Sequence, residues 1–169
     1  MSNEYYATAR ATTTPFLEAP VALVAATVKT VLQVLTPSTT DIVLLGWGIS
    51  FDGAAGGTQV PVMASIMDDP TAATGGTSYT PDLWGNSQQP ASLCVGGTAA
   101  TGYNFGTETT LTGPIYRDSQ KVSPQAGYGV FWPDGRQPRI APSRALRIRI
   151  NAPAAVNVVP WILWAEPAV

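Results

Sequence analysis

The residues that most often perform catalysis are nearly absent from this chain. It contains no histidine and a single cysteine, Cys94. Without histidine, neither a Ser-His-Asp triad, a Cys-His pair nor a histidine-ligated zinc site can form. One cysteine also excludes an intramolecular disulfide and cysteine-rich metal clusters, and the Gly-Lys step of a phosphate-binding loop does not occur. The sequence therefore predicts no metal and no cofactor.

Paired carboxylates are the chemistry that remains. Asp68-Asp69 is the only adjacent acidic pair. Neighbouring residues of a strand point to opposite faces, which suits turn capping better than acid–base catalysis. A calcium site would need further oxygens from distant loops, and a glycoside hydrolase needs two facing carboxylates that no motif selects. We predict that the chain is not an enzyme, with a carboxylate-pair hydrolase as the weakest alternative.

Tryptophan provides the main candidates for binding. Trp47 lies within a predicted strand, and Trp161 and Trp164 lie in the apolar closing segment, so all three are expected in the core or in a subunit interface. Trp84 and Trp132 stand beside glycine and proline in predicted loops. We predict that these two are exposed aromatics, able to stack on a sugar or to contact a partner.

The charged residues are few and unevenly placed. Only 12% of the residues are charged and the net charge is −2, which argues against direct nucleic-acid binding. Five of the nine basic residues fall in one stretch: Arg136, Arg139, Arg144, Arg147 and Arg149. Such a weakly charged surface favours a protein covered by partners. Ordinary solvated arginines, or a secreted Thr/Ser-rich monomer, are the alternatives.

The elements that would position these residues are strands. Fifteen prolines and sixteen glycines leave little room for helices. Apolar or alternating segments predict strands over 28–35, 41–51, 59–67, 145–151 and 156–164. In the fourth segment Leu146, Ile148 and Ile150 should face inward and the arginines outward. Gly46 and Gly48 indicate a bulge or a closely packed ring, and Pro160 predicts an edge strand or a bulge.

These strands predict one domain. We expect residues 1–20 to be a flexible N-terminal arm, anchored at most by Phe16 and Leu17, and residues 21–169 to be a β-sandwich with long Gly/Thr/Pro-rich loops. The start lacks the features of a signal peptide, and the apolar segment 21–35 is too short and polar to span a bilayer. We predict no membrane step.

Several strings resemble a family of small phage virion proteins, mostly from phages of actinobacteria, that are described as capsid decoration or minor structural proteins. The most specific strings are 47–53 (WGISFDG) and 151–158 (NAPAAVNV); weaker ones lie at 29–34, 61–62, 123–128 and 147–150. Together they cover about a fifth of the chain. The sequence departs from the family pattern at 65–68, at Ser123 in place of a histidine, and at its C-terminus.

The resemblance implies a jelly-roll-like sandwich, a homotrimer, and a place on the outer surface of a capsid assembled in the host cytoplasm. Its partner would be the major capsid protein, and no catalytic residues are implied. On this expectation the arginine stretch and the arm, with Phe16 and Leu17, are the candidate capsid or intersubunit contacts. The alternative is a carbohydrate- or receptor-binding module of a tail or fibre, acting through Trp84 and Trp132.

Overall fold

The chain is an all-β sandwich. The computed structural model describes residues 2–9, 19–52, 60–84, 88–94 and 101–167. These residues form strands joined by turns and loops, without a helix, which confirms the predicted fold class. The strands are β1 (Ser2–Thr8), β2 (Val21–Leu23), β3 (Val28–Leu35), β4 (Ile42–Phe51), β5 (Val62–Asp69), β6 (Thr77–Ser78), β7 (Asp82–Leu83), β8 (Gly102–Tyr103), β9 (Ile115–Val122), β10 (Tyr128–Phe131), β11 (Arg139–Ile140), β12 (Ala145–Asn151) and β13 (Val156–Pro167).

Two antiparallel sheets make up the sandwich. The first has the order β10-β4-β13-β1-β7, with β11 paired to β4 and β2 paired to β13. The second has the order β6-β8-β3-β12-β5-β9. Along the described strands the chain crosses between the sheets eight times, at β2–β3, β3–β4, β4–β5, β6–β7, β7–β8, β9–β10, β11–β12 and β12–β13. Such crossings are typical of Greek-key sandwiches; the finer expectation of a jelly roll stays a prediction.

The core between the sheets follows from strand alternation. Leu146, Ile148 and Ile150 are fully buried, as their period-two spacing predicts. Trp47 and Trp164 are the largest fully buried side chains and come from the facing sheet. The two sheets therefore share one apolar core to which each contributes alternate residues.

The N-terminal segment corrects the expectation of a loose arm. Ser2–Thr8 is strand β1, which pairs along its length with β13, from Ser2 opposite Pro167 to Thr8 opposite Trp161. The polar, Thr/Ala-rich composition concealed an alternation that buries Tyr5 and Ala7. Phe16 and Leu17, the predicted anchors, lie outside the described residues.

Pro160 predicted that the closing segment lies at an edge or carries a bulge. The edge alternative is wrong, because β13 is central, and the bulge alternative is confirmed by the register shift between Leu163 and Trp164 against β4. Pro160 is tolerated because its hydrogen-bonding side faces the end of β1, where its carbonyl accepts from the N–H of Ala9 and the hydroxyl of Thr8.

Two parts of the connection between β5 and β9, residues 71–74 and 107–113, cover the outer face of the second sheet, and we call them the covering loops. Gln33 points to that face, yet it is fully buried and bonded to Ala73: its Oε1 accepts the Ala73 N–H at 2.9 Å. Thr109, further along the same connection, accepts a hydrogen bond from Arg147 at 3.1 Å. The second sheet is thus buried on both faces over much of its area, and this changes the environment of the arginines.

Candidate functional site

Three of the five arginines predicted as surface contacts are part of an internal ion-pair layer. Arg147 is fully buried, and its Nη2 lies 3.8 Å from Glu108 Oε2. Arg149 Nη2 lies 3.1 Å from the same oxygen. Burial lowers the pKa of Arg147, and the charge of Glu108 opposes that shift. Both arginines do point away from the core, as predicted, but the β5–β9 connection lies over them.

Arg144 belongs to a second internal pair, centred on Asp68. The carboxylate of Asp68 is fully buried and accepts from Arg117 Nε at 2.6 Å and from Arg144 Nε. Arg144 Nη2 also donates to the carbonyl oxygen of Gly113 at 2.6 Å. Arg144, Arg147 and Arg149 are therefore corrected from surface contacts to internal supports, since each holds the covering loops or β9 to the sheet.

Arg136 and Arg139 remain exposed. The side chain of Arg139 is 72% exposed and pairs with Asp41 at 2.6 Å, while Arg136 lies in the turn before β11. Of the arginine stretch, only these two are available to contact a partner.

The neighbouring carboxylate, Asp69, caps a turn as its sequence context predicted. Its oxygens accept the N–H groups of Thr71 at 2.7 Å, Thr112 at 3.1 Å and Gly113 at 3.1 Å. Burial would raise the pKa of Asp69, but these bonds and the charge of Arg147 outweigh it, so the pKa is lowered. Asp69 thereby ties the far end of the covering loops to β5.

The lowered pKa of Asp69 predicts acid sensitivity. The stabilisation is present above the ordinary carboxyl value of 3.8 and is lost as pH falls through the lower folded value. Asp69→Asn should lower the free energy of unfolding at pH 7 and flatten its decline between pH 5 and pH 2, measured by urea unfolding. The exposed carboxylate Asp134, replaced by asparagine, serves as the control. Parallel declines in wild type and Asp69→Asn would contradict the assignment.

An aromatic strip lies on the outer face of the first sheet. The strip consists of Tyr6, Trp84, Phe131, Trp161 and Leu163, which together line a shallow pocket of ≈ 150 Å³. It crosses the sheet from β10 through β13 and β1 to the residue that follows β7. The rings of Phe131 and Trp161 lie 5.2 Å apart, and those of Tyr6 and Trp84 lie 5.4 Å apart. Phe131 is 62% exposed and Trp84 47%.

Glycines in β4 create the space for these rings. A Cβ atom at Gly46 would lie 2.7 Å from Phe131 Cδ1, and one at Gly48 would lie 2.5 Å from Trp161 Nε1. Neither distance is compatible with a side chain at those positions. The sequence predicted a bulge or a closely packed ring here, and both occur: the rings lie over the glycines, and the β13–β4 register shift falls at Leu45.

Gly48→Ala should therefore destabilise the protein and disturb the strip. The new methyl group would also meet the carbonyl oxygen of Tyr128 at 2.6 Å, so Trp161 cannot relieve the clash alone. We expect a loss of about 1–3 kcal/mol in the free energy of unfolding and a shift in tryptophan fluorescence. Gly106→Ala is the matched control, because its nearest neighbour would be 3.7 Å away. Equal effects from both substitutions would refute this account of the strip.

The predicted aromatics divide between strip and core. Trp84 is exposed as predicted. Trp132 is partly buried and packs against the core, which corrects its prediction as an exposed aromatic. Side chains alternate along β10, so Phe131 points outward and the next residue, Trp132, packs inward. Trp161 was expected in a core or an interface and lies partly exposed in the strip.

Sequence reasoning missed Tyr6, Phe131 and Leu163. The available signal was the pairing of large outward residues on β10 and β13 with glycines on the strand between them. Reading it requires the order of the strands in the sheet, which the sequence alone did not supply.

The groups that most often bind metals or act as nucleophiles were also located among the described residues. None of their His, Cys, Asp or Glu side chains form a group of three able to hold a metal. Cys94 is buried, and burial, followed by the charge of Glu166, raises the pKa of its thiol, so the thiolate needed for reactivity is disfavoured. Within the same residues, no helix is long and apolar enough to cross a membrane. The aromatic strip, by contrast, can bury a flat apolar area against a partner.

No family model, curated protein or solved structure matches this chain.

Proposed function

We propose that this chain is a non-enzymatic structural protein of a bacteriophage virion that decorates the outer surface of the capsid. The aromatic strip is the observation that carries the proposal. Large aromatic side chains, when they can be fully desolvated by a partner, supply most of the binding energy of protein interfaces. On a protein with only 12% charged residues, such a surface is suited to permanent burial in an assembly.

The internal ion pairs are compatible with the role of a structural protein. Asp68, Glu108 and the arginines around them use their charge to hold loops to the second sheet. The exposed Arg136 and Arg139 add an electrostatic contact at the β11 end of the first sheet. A decoration protein would stabilise the capsid by bridging subunits of the major capsid protein, adding contact area that resists the pressure of packaged DNA. It would join the particle during assembly in the host cytoplasm.

Capsids assembled without this protein provide the test. Purified protein added to them should co-sediment up to a fixed number of copies per capsid, and the loaded capsids should survive higher temperature. Mass spectrometry of complete virions should find the chain at the same copy number. Its absence from virions, together with failure to bind capsids, would overturn the proposal.

A carbohydrate-binding module of a tail or fibre is the second candidate. The observation in its favour is that the rings of Phe131 and Trp161 lie over glycines and keep an exposed side, a geometry on which a pyranose ring can stack. Glycan-array binding that is lost in Trp84→Ala and kept in Trp132→Phe would favour this function. Capsid binding unaffected by any soluble glycan would favour the first.

A further inference from the structure

A second apolar surface lies on the opposite side of the sandwich. We call it the groove: the exposed apolar residues Val28, Met63 and Tyr116 line a depression of ≈ 370 Å³ on the outer face of the second sheet, together with polar residues that include Ser65 and Ser119. These side chains are 39%, 43% and 56% exposed. The covering loops bury the part of that face around Gln33 and Arg147, but they leave the groove open.

The charges beside the two surfaces have opposite signs. Lys121 is the cross-strand partner of Met63 and is exposed, whereas the charge of Arg149 is already paired with Glu108. At the strip, Glu4 precedes Tyr6 by two residues on the same face of β1. An exposed cation therefore stands beside the groove, and a carboxylate stands beside the Trp84 end of the strip.

We propose that the strip of one copy docks in the groove of a second copy of this chain. The proposal rests on the strip being a protein-contact surface, as in the proposed function, and it names a second copy as the protein that covers it. Copies joined in this way bind the capsid together, so loss of the strip weakens capsid binding through loss of that joint binding. Aromatic rings fill the depression between Val28, Met63 and Tyr116, while Glu4 approaches Lys121, so apolar burial and charge favour the same orientation. Both halves of the contact are present on one chain.

The contact is heterologous, which has a consequence for assembly. A copy that is docked through its strip still presents its own groove on the other sheet. Heterologous contacts continue from copy to copy unless the rotation between them closes a ring. If the ring closes at three copies, the contact produces the expected homotrimer. If it does not close, the copies form an open row, which would be completed only on a capsid lattice.

Two half-blocked variants test the contact. The strip is blocked by Trp84→Ser with Phe131→Ser, and the groove by Met63→Ser with Tyr116→Ser. Light scattering coupled to size exclusion should find wild type in multi-copy species and each variant alone at the chain mass of 17.7 kDa. Mixed one to one, the variants should form a heterodimer of twice that mass and nothing larger, because each retains the surface that the other lacks.

Charge reversal provides a second test of the contact that does not depend on removing apolar side chains. Lys121→Glu or Glu4→Lys should each weaken self-association about tenfold, and the two variants mixed should recover it. Wild type that stays monomeric at all concentrations, a mixture without heterodimer, or groove-blocked protein that still assembles would each overturn the copy-to-copy contact. Capsid co-sedimentation is measured separately, so this contact can fail while the proposed function stands.

Discussion

Replacing Asp68 by alanine should lower the free energy of unfolding by about 3–5 kcal/mol, because it leaves two arginines without their carboxylate at a largely buried site. Asp68 is fully buried, and the side chains of Arg117 and Arg144 are only 21% and 17% exposed. Without the carboxylate, the two arginines stay desolvated but lose the opposite charge that offsets the free-energy cost of their desolvation. The loss should appear as a lower urea midpoint at pH 7.

Asp41 provides the matched control for Asp68. It also pairs with an arginine, at 2.6 Å, but the two side chains are 35% and 72% exposed. Asp41→Ala should change stability by less than about 1 kcal/mol, as exposed ion pairs do. Similar losses in the two variants would show that the covering loops do not exclude water from the internal pairs, and the placement of Arg144 inside the fold would then be wrong.

The largest functional effect is expected from the strip. Trp84→Ser combined with Phe131→Ser should weaken binding to capsids at least about 100-fold, since each large aromatic at an interface centre contributes on the order of 2 kcal/mol or more. Both side chains are exposed on the free protein, so their replacement should leave the urea midpoint nearly unchanged. Co-sedimentation with capsids that lack the protein measures the change.

Val60→Ser combined with Leu93→Ser is the control for the strip variant. These residues are 52% and 38% exposed, are also apolar, and lie outside the strip. Their replacement should leave capsid binding within about twofold of wild type, as for surface residues away from a contact. Equal losses from both double variants would mean that general surface hydrophobicity, not the strip, drives binding.

The fold class could be predicted from local sequence because strand alternation is a local property. Leu146, Ile148 and Ile150 were correctly placed in the core from their spacing alone. The same alternation turned Arg147 outward, but outward did not mean exposed, because a connection distant in sequence folds over it. Burial on the second face of a sheet depends on tertiary packing that no period reveals.

Long-range pairing also explains the other errors. Ser2–Thr8 has little apolar content, and its place beside β13 depends on residues more than 150 positions away. The strip likewise brings together Tyr6, Trp84 and Phe131 from distant parts of the chain. The sequence could indicate that Gly46 and Gly48 make room for something large, but not which rings occupy that space.

The most direct test of the proposed role is an electron cryomicroscopy map of capsids with and without this protein. We expect additional density on the outer capsid surface, shaped as a two-sheet sandwich, with Trp84 and Phe131 buried against a neighbouring protein chain. Capsids without such density, or a bound protein whose aromatic strip faces solvent, would contradict it.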